Sequence, residues 1–172
     1  MSGTPARARL RRAVRAVILA DDDHVLLCRF SFPHPAVPTG GTVVWAAPGG
    51  GIEPGELPLA ALRRELSEET GLVLDADPPH VWHQEVADPG LADGYDGLVN
   101  DYFLVRTTRF DPRGALSDDD LAGEHISGMR WWRHEDIAEY GGTDLFSPRD
   151  LATPLAALIA GEIPDRPMML GL

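Results

Sequence analysis

"GGGIEPGELPLAALRRELSEETGL" occupies Gly49 to Leu72, and the rest of the chain is read outward from it. Leu59, Leu62 and Leu66 recur at helical spacing, which predicts a helix over 58–70. Pro58 suits its first turn, and Gly71 suits the left-handed position just past its end. Glu65, Glu68 and Glu69 stand at i, i+3 and i+4, so they share one face beside the leucine stripe. Like charges at that spacing repel, and the whole chain already holds 27 acidic residues against 15 basic ones, a formal charge of -12. One reading is a solvated acidic helix face. The other is a metal site, because three close carboxylates ionise at low cost only when a cation joins them. Oxygen-only ligands select a hard cation, Mg²⁺ or Mn²⁺. The glycines at 49–51 let backbone come close enough to add a carbonyl ligand.

Before this stretch, "AVRAVILA" (13–20) and "HVLLCRF" (24–30) read as two strands joined by a tight "DDD" turn. "SFPHPAVPTGG" (31–41) reads as a loop, and "TVVWAA" (42–47) as a strand leading into the glycines. After it, "HVWHQEVA" (80–87), "NDYFLVRT" (100–107) and "GMRWWRH" (128–134) are strand-like, with a short helix near "EDIAEY". Ser147, Pro148 and Asp150 suggest a capping-box start for a last helix through "LATPLAALIA", bent by Pro154 and stopped by Gly161. Residues 1–10 form a basic lead and 162–172 a tail, around what is expected to be a single domain over 1–172. Strands and helices are mixed, which predicts an α/β or α+β sandwich.

Composition narrows the function. An apolar content of 44% and a charged content of 24% describe a globular chain. The acidic balance argues against a nucleic-acid polymer as partner, since phosphate backbones need a basic surface. It leaves room for a small phosphorylated ligand bridged by a metal. Every basic residue is arginine, which rules out a Schiff-base lysine and the lysine of a P-loop. Cys28, the one cysteine, allows neither an intrachain disulfide nor a Cys-rich zinc site and reads as core. No apolar run approaches the roughly 18 residues of a membrane span. The arginine-rich start lacks an apolar h-region, so a cytoplasmic protein is expected.

Gly50, five residues, Glu56, seven residues, then Arg64-Glu65-Leu66-Ser67-Glu68-Glu69-Thr70-Gly71-Leu72 resembles the complete box of the Nudix hydrolase family. Average residue frequencies put a chance match on the order of one in ten million. The resemblance implies a Nudix-type α/β/α sandwich with a mixed β-sheet. It also implies metal-dependent hydrolysis, with Mg²⁺ or Mn²⁺, of a pyrophosphate bond in a nucleoside diphosphate linked to another group. In the family the box glutamates bind metal, here Glu65, Glu68 and Glu69, and the first glycine, here Gly50, gives its carbonyl. Glu56 and Arg64 look like a pair that holds the loop onto the helix.

Outside the box, Glu124 is the candidate base, placed shortly before a Trp-rich strand as in similar proteins. Arg29, at a strand end, is a candidate phosphate contact. Phe32, Trp82 and Tyr102 are candidate stacking partners for a base. Trp131 and Trp132 should point to opposite faces, so at least one is core. His80 and His83 should also point to opposite faces, so they should not share a metal. Asp118, Asp119 and Asp120 read as solvated loop acids. Pro89 lies near a position that marks ADP-ribose types in similar proteins, although "ADPG" is also an ordinary turn. A non-catalytic ligand-binding Nudix module and an isopentenyl-type isomerase are the alternatives. The second needs a nucleophilic cysteine, and Cys28 lies inside a strand. A homodimer stays open.

Overall fold

The computed structural model describes residues 6–32 and 42–172, without the side chain of Phe32. The stacking expectation for Phe32 and most of the 31–41 loop therefore lie outside the described residues; Ser31 and Phe32 continue a strand.

The elements run β1 (Leu10–Ala20), β2 (His24–Phe32), β3 (Thr42–Ala46), β4 (Gly49–Gly51), α1 (Pro58–Glu69), β5 (His80–Val86), β6 (Gly97–Thr107), α2 (Asp118–Gly123), β7 (Ile126–Arg133), α3 (His134–Ala138), β8 (Leu145–Ser147), α4 (Ala152–Ile159) and β9 (Met168–Leu170). The sheet order is β8-β3-β2-β1-β6-β5-β9, with β4 added on β1 and β7 on β2. β1 runs parallel to β6, β3 to β8 and β5 to β9; the other pairs are antiparallel, so the sheet is mixed. β1 and β2 share the Leu19↔Val25 register at their hairpin and then part, β1 to β6 and β4, β2 to β3 and β7. Asp23 turns that hairpin with φ 62, a conformation that Asp tolerates better than most side chains.

Strand alternation builds two cores. Val14, Ala16 and Ile18 face α1 and meet its Ala61, Leu62 and Leu66 together with Phe103. Val17 and Leu19 face the other way and join Trp82, Tyr102, Trp132 and the Leu151, Leu155 and Leu158 stripe of the last helix. The result is an α/β/α sandwich. Cys28 is buried and free. Trp132 is core and Trp131 is half-buried, as their alternation predicts. Among the described residues, no helix is long and apolar enough to cross a membrane.

Several expectations need correction. The last helix starts at Ala152, with Leu151 at its N-cap and no capping side chain; Ser147 belongs instead to β8. Pro154 therefore lies in the first turn, where its missing N–H costs nothing, and does not bend the helix. The tail contains β9, which pairs with β5. Asp118, Asp119 and Asp120 are exposed but helical, and a capping box between Ser117 and Asp120 starts α2. The glycines at 49–51 form a strand, which no periodicity rule can find without side chains. Pro89–Leu91 form one 3-10 turn, with the Asp88 side chain accepting from the Gly90 N–H at 2.9 Å.

The main reversal concerns His80 and His83. A β-bulge between His80 and Trp82 breaks the alternation, and both imidazoles reach Asp101.

Leu62 is fully buried between α1 and the sheet. Leu62→Ala should cost about 2–5 kcal/mol in denaturant unfolding, with an unchanged dependence on denaturant concentration.

Candidate active site

The glutamate helix is held from both ends. At its start, Glu56 accepts from Arg64 Nε and Nη2, both at 2.9 Å, a bidentate pair that ties the preceding loop to the helix. Arg64 Nη2 also donates to the Gly51 carbonyl at 3.1 Å, and Nη1 donates to Glu65 Oε1 at 2.9 Å. The Arg64 hydrogen bond, with the Glu53 N–H behind it, lowers the Glu56 carboxyl to about 2. At its end, Gly71 has φ +78 and its N–H returns to the Leu66 carbonyl at 2.9 Å. The carbonyls of Ser67, Glu68 and Thr70 accept from the N–H groups of Ala115, Leu116 and Arg113 at 3.2, 2.9 and 3.0 Å. The 113–116 segment thus caps α1 with main chain.

β4 passes between β1 and the glutamates. The Gly49 N–H donates to Glu69 Oε2 at 3.0 Å. A Cβ on Gly49 would lie 2.0 Å from the Val14 carbonyl oxygen, and one on Gly50 would lie 2.6 Å from Glu65 Oε1. Only glycine fits at 49, where the clash is with backbone; at 50 a side chain would push the Glu65 carboxylate out of place.

Glu65 and Glu69 are 6% and 1% exposed. Burial pushes the Glu69 carboxyl up to about 8, and the Glu65 charge adds to this; the Gly49 N–H and Arg15 oppose it. Burial also raises Glu65, against the pull of Arg64. Carboxylate oxygens of Glu65, Glu69 and Glu124 lie within 4.8 Å of one another. Glu124 reaches this group from the end of α2, and His125, with φ 66, turns the chain into β7. Glu68 turns instead to Arg64, at 3.5 Å. A cleft of about 230 Å³ opens beside Glu69, walled by 111–114, by Leu116 and α2, and by Ile126, Gly128 and Met129 of β7.

Hard oxygen donors, two of them buried and only partly compensated by Arg64 and Arg15, fit a divalent metal. Glu65, Glu69 and Glu124 could hold it.

Arg29 donates from Nη1 to Ser31 at 3.1 Å and to Ser127 at 2.9 Å. Tyr102 and Trp82 are each 1% exposed and pack on one another at 5.5 Å, so neither offers a ring face to a ligand. Their expected role in base stacking is withdrawn, since both side chains belong to the core opposite α1. Two features had no sequence signal. One is Arg15, whose Nη1 donates to the Ala47 carbonyl at 2.9 Å and whose charge bears on Glu69. The other is the 111–116 wall. In that wall, a Cβ on Gly114 would lie 2.1 Å from the Glu68 carbonyl oxygen.

The NUDIX domain profile matches residues 9–149. The chain belongs to the Nudix family. Its members are in general pyrophosphohydrolases, and the chain is 30% identical over 132 residues to the nucleoside triphosphatase NudI of Escherichia fergusonii, covering 76% of this chain and 87% of that one. A Salmonella agona relative of the same name is 29% identical over 132 residues, with the same coverage. Among solved structures, a Nudix hydrolase from Nitrosomonas europaea aligns with a TM-score of 0.59 at 24% identity, covering 90% of this chain and 92% of the other. The Nudix domain of Shewanella oneidensis NrtR, solved with ADP ribose, aligns with a TM-score of 0.55 at 20% identity, covering 80% and 82%. At these identities the two structures show likeness of fold. This Nudix pyrophosphohydrolase thus carries Arg64, Glu65, Glu68 and Glu69 of the box on α1, with Gly50 on β4 and Glu56 in the loop between.

Burial of Glu69 predicts a pH dependence for the metal-free protein. Its folded carboxyl stays protonated up to about 8, whereas the unfolded chain ionises near 4.5. The unfolded state holds fewer protons between those values, so stability falls as pH rises through that window, by up to ~1.4 kcal/mol per pH unit. Urea unfolding in chelator should show this decline for the wild type and a flatter profile for Glu69→Gln. Superimposable slopes would contradict the buried acid.

Proposed function

We propose that the protein is a Mg²⁺- or Mn²⁺-dependent hydrolase of a nucleoside diphosphate linked to another group, with nucleoside triphosphates the first substrates to test. The convergence of Glu65, Glu69 and Glu124 beside the cleft carries this reading. The name of the 30% identical relative supports the nucleotide class.

Glu65 and Glu69 would hold the metal, with the Gly50 carbonyl as a further ligand and Glu68 recruited from its Arg64 contact, which leaves Glu124 beside them to take a proton. When bound, the cation supplies charge neutralisation and Lewis acidity at the phosphoanhydride. The chain's own residues do the rest. Arg64 fixes the positions of Glu56 and Glu65. Arg113, exposed on the cleft wall, offers a guanidinium to the phosphates. Glu124 is the general base: it is the exposed member of the trio, so water reaches it, and α2 holds it at the glutamate face. Water attack on phosphorus passes a proton to Glu124, and the bridging oxygen leaves on the departing group.

A non-catalytic binding module is the second reading, favoured only by the NrtR likeness in fold. A panel of nucleoside triphosphates, ADP-ribose and dinucleotides with Mg²⁺, followed by product identification, decides between them. Turnover of at least one substrate is expected, with Glu124→Gln slower by roughly 10²–10⁴-fold and Glu69→Gln inactive. Tight nucleotide binding without turnover on any substrate would establish the module.

Arg64→Lys should keep the charge but lose the bidentate grip on Glu56. Its kcat is expected to fall at least ~10-fold with the fold intact by circular dichroism, as expected for a positioning group whose misplacement can cost 10²-fold.

A further inference from the structure

The bulge in β5 gathers a second set of ligand-bearing side chains, none of them shared with the glutamate group. His80 Nε2 and His83 Nδ1 lie 3.0 and 2.6 Å from the same oxygen, Oδ1 of Asp101. One ligand atom from each residue falls within 4.8 Å of the other two. We propose that His80, His83 and Asp101 form a second metal site, for a borderline divalent cation of the zinc type. It differs in chemistry from the hard ion of the glutamates.

The backbone is the first support. A regular strand sends residues three apart to opposite faces. Here the register shifts between His80 and Trp82, and both imidazoles meet over Asp101 of the neighbouring strand. Bulges of this kind re-aim side chains. The donor set is the second. Two imidazoles and one carboxylate suit Zn²⁺, with a fourth position left for water.

The outer partners are the third support. Arg12 Nη2 stands 3.8 Å from Asp101 Oδ2, on the carboxylate oxygen that does not face the imidazoles. His80 stacks on Phe103 at 4.9 Å, which fixes its ring plane. His83 Nε2 faces Glu85 Oε2 at 3.7 Å, and a ligating imidazole is commonly oriented by a carboxylate on its other nitrogen.

Proton placement is the fourth. His80 Nε2 faces two acceptors, Asp101 Oδ1 and the Trp82 carbonyl, each at 3.0 Å, so without a metal it carries hydrogen. His83 Nδ1 faces Asp101 Oδ1 in the same way. A cation at the shared oxygen displaces both hydrogens to the opposite ring nitrogens. For His83 that nitrogen is the one that faces the Glu85 carboxylate at 3.7 Å, so the displaced hydrogen points toward an acceptor. The ion would join β5 to β6 beside Phe103, which packs in the α1 core.

The full chain can be titrated with Co²⁺ in excess Mg²⁺, following the visible absorption of nitrogen-ligated Co²⁺ and its loss on adding Zn²⁺. One equivalent is expected in the wild type and in Glu69→Gln. Affinity should fall in His80→Ala and His83→Ala by more than the ~10–100-fold that an outer partner typically contributes. His83→Gln supplies the control, since its amide keeps a hydrogen bond to Asp101 but is a poor zinc ligand. If the trio is only a hydrogen-bonded staple, His83→Gln behaves like the wild type in every measurement. Equal Co²⁺ binding by wild type and His83→Gln, or no nitrogen-ligated spectrum in the wild type, overturns the proposal. The readout is binding, so it is independent of whether any nucleotide is hydrolysed.

Discussion

Two buried carboxylates lie against a backbone with no side chains. Glu65 and Glu69 leave water because α1 packs its leucines on β1 and β6, and the glutamate face is drawn down with them. They can be drawn down only because β4 is made of glycine, thin enough to pass between β1 and the helix. One N–H from Gly49 and one guanidinium from Arg64 then compensate part of the lost hydration. The compensation is incomplete, and it leaves a carboxyl with a raised pKa where a cation would complete the set.

Arg64 links the parts of this arrangement. It reaches the preceding loop through Glu56, β4 through the Gly51 carbonyl and the buried site through Glu65. A lysine's three donors sit on a single nitrogen and could not grip Glu56 at two points while also reaching the Gly51 carbonyl and Glu65. This gives a local physical reason for an arginine at that place, in a chain whose cations are all arginine.

Much of this was legible in the sequence, because α1 carries a 3.6-residue period and its own stop signal. The leucines, Pro58 and Gly71 set the helix, and the glutamate spacing set its chemistry. The parts that were not legible depend on non-local backbone. Gly49–Gly51 have no side chains to alternate, yet they pair with β1. The last helix starts late because Ser147 is taken by a parallel pairing with β3. Tyr102 looks like a surface aromatic on an exposed strand until β6 is seen to be covered on both faces. His80 and His83 defeat a period-2 argument because one extra residue shifts the phase, and a bulge is invisible to counting. The convergence of Glu124 on the helix depends on how β7 joins β2, far away along the chain.

The 113–116 segment is tied to the end of α1 by three main-chain hydrogen bonds, from Arg113, Ala115 and Leu116. Apart from Gly114, which the Glu68 carbonyl excludes from substitution, the wall can change its side chains without losing its anchorage. Position and identity are therefore decoupled on this side of the cleft. Substitution there changes the lining of the cleft while the main-chain bonds to α1 stay in place. The cleft thus has a face whose chemistry can vary without disturbing the acidic centre.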